Sequence, residues 1–233
     1  MSCFPLMIEI EGKTVIVIGG GRIALHKIKV LLPFGARIVV VSEEICNELR
    51  VLASDNTHMI TLFQKNIGER LSYFESTSNN VSISEIDNII EMYDSVCFVI
   101  AATDDEKLQS IVSHVCKEKN IPVNVVDVRE KSTFYFPAVT KQDELVVAVS
   151  TGGNSPVAAG YIKKKIEDSL PDYYGRMINA LGRYREQALA SIDSYDMRKH
   201  YFKELINYAE EHDGDIPEKI AFNFMKQYYN GSE

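Results

Sequence analysis

An apolar run that breaks directly into three glycines constrains this chain more than any other feature. Residues 15–27 read VIVIGGGRIALHK, a β-rich stretch followed by Gly19-Gly20-Gly21-Arg22-Ile23-Ala24 and then by apolar positions at helical spacing. The pattern is G-x-G-x-x-A between a strand and a helix. In that setting Gly19 permits a tight turn, Gly21 lets the backbone approach a pyrophosphate, and the small Ala24 lets helix and strand pack closely. The helix opening at Arg22 and Ile23 offers free N–H groups and the positive end of its dipole to the phosphates. A dinucleotide site is expected at Gly19, Gly21, Arg22, Ile23 and Ala24, and a glycine-rich turn without a ligand is the alternative.

The rhythm around this loop supports a parallel sheet. Strands are expected at residues 14–18, 37–41, 59–63, 96–101 and 122–126, with helices at 23–32, 43–53 and 104–119 between them. Continuous apolar strands separated by helices imply a sheet covered on both faces. Residues 68–93 are longer than a simple crossover needs, and part of them is expected to be a surface insertion. After Asp127 the alternation stops. Residues 134–139 and 145–150 are strand-like with no helix between them, so they can pair as a hairpin. Helices are expected at 155–170, 172–192, 197–212 and 217–229, with breaks at Pro171 and Pro217. The expected fold class is α/β: a Rossmann-like domain over residues 1–133, a strand-containing segment over 134–168 and an all-helical domain over 169–233.

Composition excludes several classes. A net charge of −8 gives no basic stripe for nucleic acid. No apolar run is long enough to span a bilayer, and the N-terminus lacks a basic segment with a small-residue cleavage site. Cys3, Cys46, Cys97 and Cys116 are scattered without a C-x-x-C pair, which fits free thiols in a reducing cytoplasm. His26, His58, His114, His200 and His212 have no partner at ligand spacing, so no metal site is expected.

Two further stretches extend the nucleotide site. Ser42 ends the second strand and Glu43 follows it, one step displaced from where an acid would hold the adenosine ribose of NAD. With no arginine at either position to meet a 2′-phosphate, NAD is favoured over NADP. "AATDD" at residues 101–105 ends the fourth strand at the same sheet edge. There Ala102 would let a cofactor lie close, while Thr103 and Asp104 could reach a ribose or cap the following helix.

The motifs occur in an order that resembles one family. GGGxxAxxK, AATDD, "NVVD" at 124–127, "FYFP" at 134–137 and "STGGNSP" at 150–156 are together similar to the precorrin-2 dehydrogenase / sirohydrochlorin ferrochelatase family, the N-terminal module of siroheme synthases. The resemblance covers residues 7–185; the tail beyond is less distinctive, and no methyltransferase domain follows, as in a freestanding form. It implies a cytoplasmic homodimer, dimerising through the middle segment, that oxidises precorrin-2 to sirohydrochlorin with NAD. Some members also insert ferrous iron to give siroheme, as a ferrochelatase (a lyase). Iron would then be a substrate, not a resident metal.

The resemblance also assigns roles. Asp127, at the end of the fifth strand, is the implied catalytic carboxylate, able to accept the proton lost as hydride leaves; capping of the following turn is its structural alternative. Asn124 is read as structural or as a loop-hydrogen-bonding residue. The tetrapyrrole substrate carries acetate and propionate groups, so an acidic chain needs a local anion site. Ser150, Thr151, Gly152, Gly153, Asn154 and Ser155 offer hydroxyls and turn amides before a helix N-terminus. Lys163, and Arg176 and Arg183 seven residues apart on one helical face, supply charge. A dehydrogenase without chelatase activity and a non-catalytic NAD-sensing module are the alternatives.

Overall fold

The computed structural model of the chain describes residues 3–65 and 80–228. It divides into two compact units, with the boundary between Phe136 and Pro137.

The first unit holds a five-stranded parallel sheet in the order β3-β2-β1-β4-β5. The strands are β1 (Thr14–Gly20), β2 (Arg37–Ile45), β3 (Ile60–Gln64), β4 (Val96–Ala101) and β5 (Val123–Val125). Helices α1 (Arg22–Leu31), α2 (Asn47–Asp55), α3 (Asn80–Glu91) and α4 (Glu106–Glu118) cover it. Every residue of β1 is buried, because alternate side chains serve opposite faces of the sheet. Val15, Val17, Val40 and Ile100 pack with Ala24, Ile28 and Leu49 on one side. Ile16, Ile18, Val39 and Val99 pack with Ile86, Ile90, Val112 and Val115 on the other. This is the Rossmann-like sheet expected from the alternation of strands and helices.

Two expectations need correction here. β2 continues to Ile45, and the helix expected at 43–53 starts only at Asn47. The cause is non-local: Ile45 pairs with Gly20, and the Cys46 N–H donates to the Gly20 carbonyl at 2.9 Å, so the glycine loop prolongs the strand. Within residues 68–93, where part was expected to be a surface insertion, Asn80–Glu91 is a crossover helix between β3 and β4 that buries Ile86 and Ile90 against the sheet. The remainder of that expectation, residues 68–79, lies outside the described residues. Finally, Thr103 and Asp104 do not cap α4. Asp105 does, its Oδ1 accepting from the N–H groups of Lys107 at 2.8 Å and Leu108 at 3.1 Å.

The short edge strand β5 is completed by side chains. The Val123 N–H donates to Thr133 Oγ1 at 2.8 Å and the Val125 N–H to Ser132 Oγ at 2.9 Å. Unpaired edge donors are thereby satisfied without another strand.

The second unit begins with an antiparallel pair, β6 (Ala138–Gln142) and β7 (Leu145–Val149). The strand expected at 134–139 starts four residues later. Phe134 and Phe136 instead pack on the first unit's core, Phe134 meeting Phe98 edge-on with ring centroids 5.1 Å apart. Helices α5 (Pro156–Ser169), α6 (Tyr174–Ser191), α7 (Tyr195–Glu211) and α8 (Glu218–Lys226) follow. Residue 229, the expected end of the last helix, lies outside the described residues. Tyr201, Leu205, Ala188 and Ile192 form the helical core, and the Tyr184 hydroxyl donates to the Ile216 carbonyl at 2.8 Å.

Gly175 on α6 admits the hairpin turn. A Cβ there would lie 2.7 Å from Asp143 Oδ2 and 2.8 Å from the Gln142 carbonyl. Gly175→Ala is therefore expected to cost about 1–3 kcal/mol by overpacking, read as a lowered urea midpoint. An unchanged midpoint would show that α6 does not hold the turn.

Candidate active site at the carboxyl edge of the parallel sheet

The glycine loop divides its labour sharply. Gly19 has φ +114°, and a Cβ on it would collide with the Ala102 carbonyl of the neighbouring β4 segment. Gly20 is similarly closed by the Glu44 carbonyl. Gly21 is different: its φ is −84° and nothing lies within 4 Å of a Cβ built there. Two glycines serve the fold, and the third leaves an open approach. Beside that opening, α1 has no side-chain cap and no acid in its first turn, whereas Asp105, Ser155 and Ser194 cap α4, α5 and α7. The uncapped N–H groups and the dipole suit a pyrophosphate, so the residues present fit a dinucleotide. Ala24 is fully buried against the sheet, as the close packing requires. Arg22 is exposed at the mouth of the loop.

Next to the loop lies a cavity of about 420 Å³. Ile23 lines it from α1, and Ala102, Thr103 and Asp104 line it from the end of β4. Asp127 lines it from the turn after β5. The fold thus gathers five of the residues expected from sequence into one wall. It adds Glu106, Gln109, Val126, Val128 and Lys131, which sequence reasoning missed. Gln109 is buried, and its Nε2 donates to the Thr103 carbonyl at 2.7 Å, fixing the segment that carries Asp104. Lys131 Nζ donates to the Glu106 carbonyl at 3.2 Å. Val126, Val128 and Lys131 follow from their nearness to Asp127 in the chain, whereas only the fold brings Glu106 and Gln109 there, so no local signal marks those two.

Asp127 sits at the third position of a turn closed by the Val128 N–H donating to the Val125 carbonyl at 3.3 Å. Its φ is +60°, a left-handed conformation in which Asp and Asn are tolerated and most side chains are strained. The turn holds the exposed carboxylate at the cavity. Asn124 is structural, its Nδ2 donating to the Phe134 carbonyl at 3.1 Å. Asp104, relieved of capping by Asp105, also faces the cavity.

At the far side of the glycine loop, Ser42 Oγ donates to the Glu44 carbonyl at 2.7 Å, while Glu43 is exposed. Arg50, which sequence reasoning did not consider, lies near the end of β2. It donates to the Ile45 carbonyl at 3.3 Å and to Gln64 Oε1 at 2.8 Å.

In the second unit, the "STGGNSP" loop spends most of its polar groups on itself. Ser150 Oγ accepts from the Gly152 N–H, Thr151 Oγ1 accepts from the Ser155 N–H, and the Asn154 N–H donates to the Thr151 carbonyl. Ser155 caps α5 through the Ala158 N–H at 3.1 Å. Gly152 and Gly153 adopt positive φ. The cations are engaged too. Lys163 pairs with Glu167 at 3.0 Å, and Arg176 donates to the Asp213 carbonyl at 3.0 Å. Arg183 lies over the Tyr184 ring. Thr140 and Lys163 hold the Glu167 carboxyl below its usual range by hydrogen bonding.

Among the described residues no three His, Cys, Asp or Glu side chains assemble a metal site. Nor is any helix among them long and apolar enough to cross a membrane. Burial pushes the Cys116 thiol up to about 12, so it is inert packing.

Comparison with known proteins decides the family. Residues 6–138 match the family described as "Putative NAD(P)-binding", and residues 142–169 match "Sirohaem biosynthesis protein central". The chain belongs to this NAD(P)-binding family. The central sirohaem segment behind the NAD(P)-binding module bears out the resemblance drawn from the motifs. A siroheme synthase of Thioalkalivibrio sulfidiphilus is 33% identical over 206 residues, 88% of this chain and 37% of the relative. One of Ectopseudomonas mendocina is 34% identical over 220 residues, 94% of this chain and 41% of the relative. The chain thus spans about two-fifths of the length of these curated relatives. A solved structure titled "SirC, precorrin-2 dehydrogenase" superposes with a TM-score of 0.71 at 22% identity, covering 97% of this chain and 98% of that one. At that identity the superposition establishes a shared fold.

Proposed function

We propose that this chain oxidises precorrin-2 to sirohydrochlorin with NAD, a step of siroheme biosynthesis in the cytoplasm. The observation that carries this reading is the shared edge. The open cradle at Gly21 and a cavity bearing Asp127 and Asp104 lie at the same end of one sheet, where ligands of such sheets bind. The NAD(P)-binding and sirohaem family matches and the names of the relatives support the substrate.

Bound NAD supplies a hydride acceptor. Oxidation removes a hydride and a proton from the reduced tetrapyrrole, so the products are sirohydrochlorin, NADH and H⁺. The chain's residues do the rest. The uncapped start of α1 binds the pyrophosphate, and Glu43 takes the ribose hydroxyls beside Ser42. Ala102 and Thr103 let the cofactor lie against the end of β4, and the apolar Ile23, 47% exposed, forms the wall toward the substrate. The Asp127 carboxylate accepts the proton.

A second assignment of the base has its own observation: Asp104 faces the same cavity and has no capping duty. Two carboxylates would also suit removal of the two pyrrolic protons during ferrous iron insertion, with iron as substrate. The loop at 150–155 with Lys163, Arg176 and Arg183 is assigned to substrate carboxylates, through what its internal bonds leave free.

Anaerobic incubation with precorrin-2 and NAD tests the reading by NADH formation. NAD binding without turnover would favour a sensing module instead. Chelation is tested separately, by iron uptake into sirohydrochlorin.

The homodimer is also proposed. A two-stranded sheet is marginal alone, and β6 and β7 are largely half-buried, so pairing of the 134–150 region across a two-fold axis would complete it. Light scattering at micromolar concentration is expected to give twice the chain mass; a monomer would count against it.

A further inference from the structure

Lys27 stands on α1 one turn after Ile23, the residue through which that helix lines the cavity, and on the same helical face. Its side chain is half-buried and its Nζ lies 4.3 Å from the centroid of the Phe136 ring. No hydrogen bond or ion pair holds the ammonium among the described residues. Four other cations, by contrast, have polar partners. Lys131 donates to the Glu106 carbonyl, Arg129 to the Tyr135 hydroxyl, Lys163 pairs with Glu167, and Arg176 donates to the Asp213 carbonyl.

A half-buried charge without an anion is costly, and a ring face offsets only part of that cost. Burial pushes the Lys27 ammonium's pKa down, and the charge of Asp127 opposes this in part. Lys27 therefore feels the catalytic carboxylate across the site without forming an ion pair with it. The cavity itself presents Asp104, Glu106 and Asp127 against Lys131. An anionic ligand entering there meets an excess of like charge unless another cation receives it.

The geometry points to Lys27 as a substrate-binding residue, the cation that receives one carboxylate of the tetrapyrrole on the Asp127 side of the cavity. This rests on the tetrapyrrole reading above. The ammonium would exchange an incomplete contact with Phe136 for a charge-assisted hydrogen bond. The ligand would thereby be anchored with its reacting carbon near Asp127.

The test is binding without turnover. Sirohydrochlorin is titrated, in the absence of metal, into the full-length protein and its Lys27→Met and Lys27→Arg variants, and NAD affinity is measured on the same preparations. Methionine keeps an apolar stem against Phe136, and Lys27→Gln serves as a second neutral variant if Lys27→Met fails to fold. The neutral variants are expected to bind sirohydrochlorin at least about 5-fold more weakly, with NAD affinity unchanged and binding largely restored by arginine. Parent-like sirohydrochlorin affinity in a neutral variant overturns the assignment. An equal loss of NAD affinity overturns it too, because Lys27 would then serve the cofactor. If the parent protein binds no sirohydrochlorin while binding NAD, the tetrapyrrole reading fails first, and this inference with it.

Discussion

Gly21→Asp folds like the parent protein and loses NAD. A side chain at Gly21 meets nothing within 4 Å, and the backbone there has φ −84°, which any L-residue adopts. The substitution therefore leaves the sheet and helix intact. It places a carboxylate where the pyrophosphate must approach α1. Two like charges about 4 Å apart repel by about 4 kcal/mol at an effective dielectric near 20, so affinity falls at least about 100-fold. Calorimetric titration with NAD reads the loss, and the thermal melt of the apoprotein confirms the fold. Gly19→Ala is the contrasting substitution: at φ +114° and against the Ala102 carbonyl, it disrupts folding itself. Unchanged NAD affinity in folded Gly21→Asp would place the nucleotide elsewhere.

The second large effect is at Asp127. Asparagine tolerates the left-handed backbone that this position adopts, so Asp127→Asn keeps the turn and removes only the basicity. Precorrin-2 turnover should fall by about 100-fold or more, the usual contribution of a positioned acid or base, with NAD affinity unchanged. Alanine is a poorer probe, because it adds backbone strain at φ +60°. Asp104→Asn is the necessary companion, since Asp104 shares the cavity.

Much of this architecture was legible in the sequence. At residues 14–31 the strand pattern, the glycines and the helical spacing coincide, so local preference and final fold agree. β4 was readable at its limits for the same reason: six residues that are β-prone or apolar end abruptly at a polar cluster. The departures arise where distant residues decide. Glu43 and Glu44 read as helix-forming but are drawn into β2 by pairing with the glycine loop. Asp105 and not Asp104 caps α4, a shift of one residue that frees Asp104 for the cavity. Phe134 and Phe136 look like strand residues but bury against the sheet. Lys27 closes the GGGxxAxxK pattern, but its isolation from anions exists only in three dimensions.

The most direct measurement is the rate of NADH formation from precorrin-2 under single-turnover, anaerobic conditions, in the parent protein, Asp127→Asn and Asp104→Asn, each saturated with NAD. The parent is expected to form NADH and sirohydrochlorin in equal amounts, and Asp127→Asn to do so about 100-fold more slowly or worse. Parent-like NADH formation by Asp127→Asn would contradict the account, and with a collapse in Asp104→Asn it would move the base to Asp104.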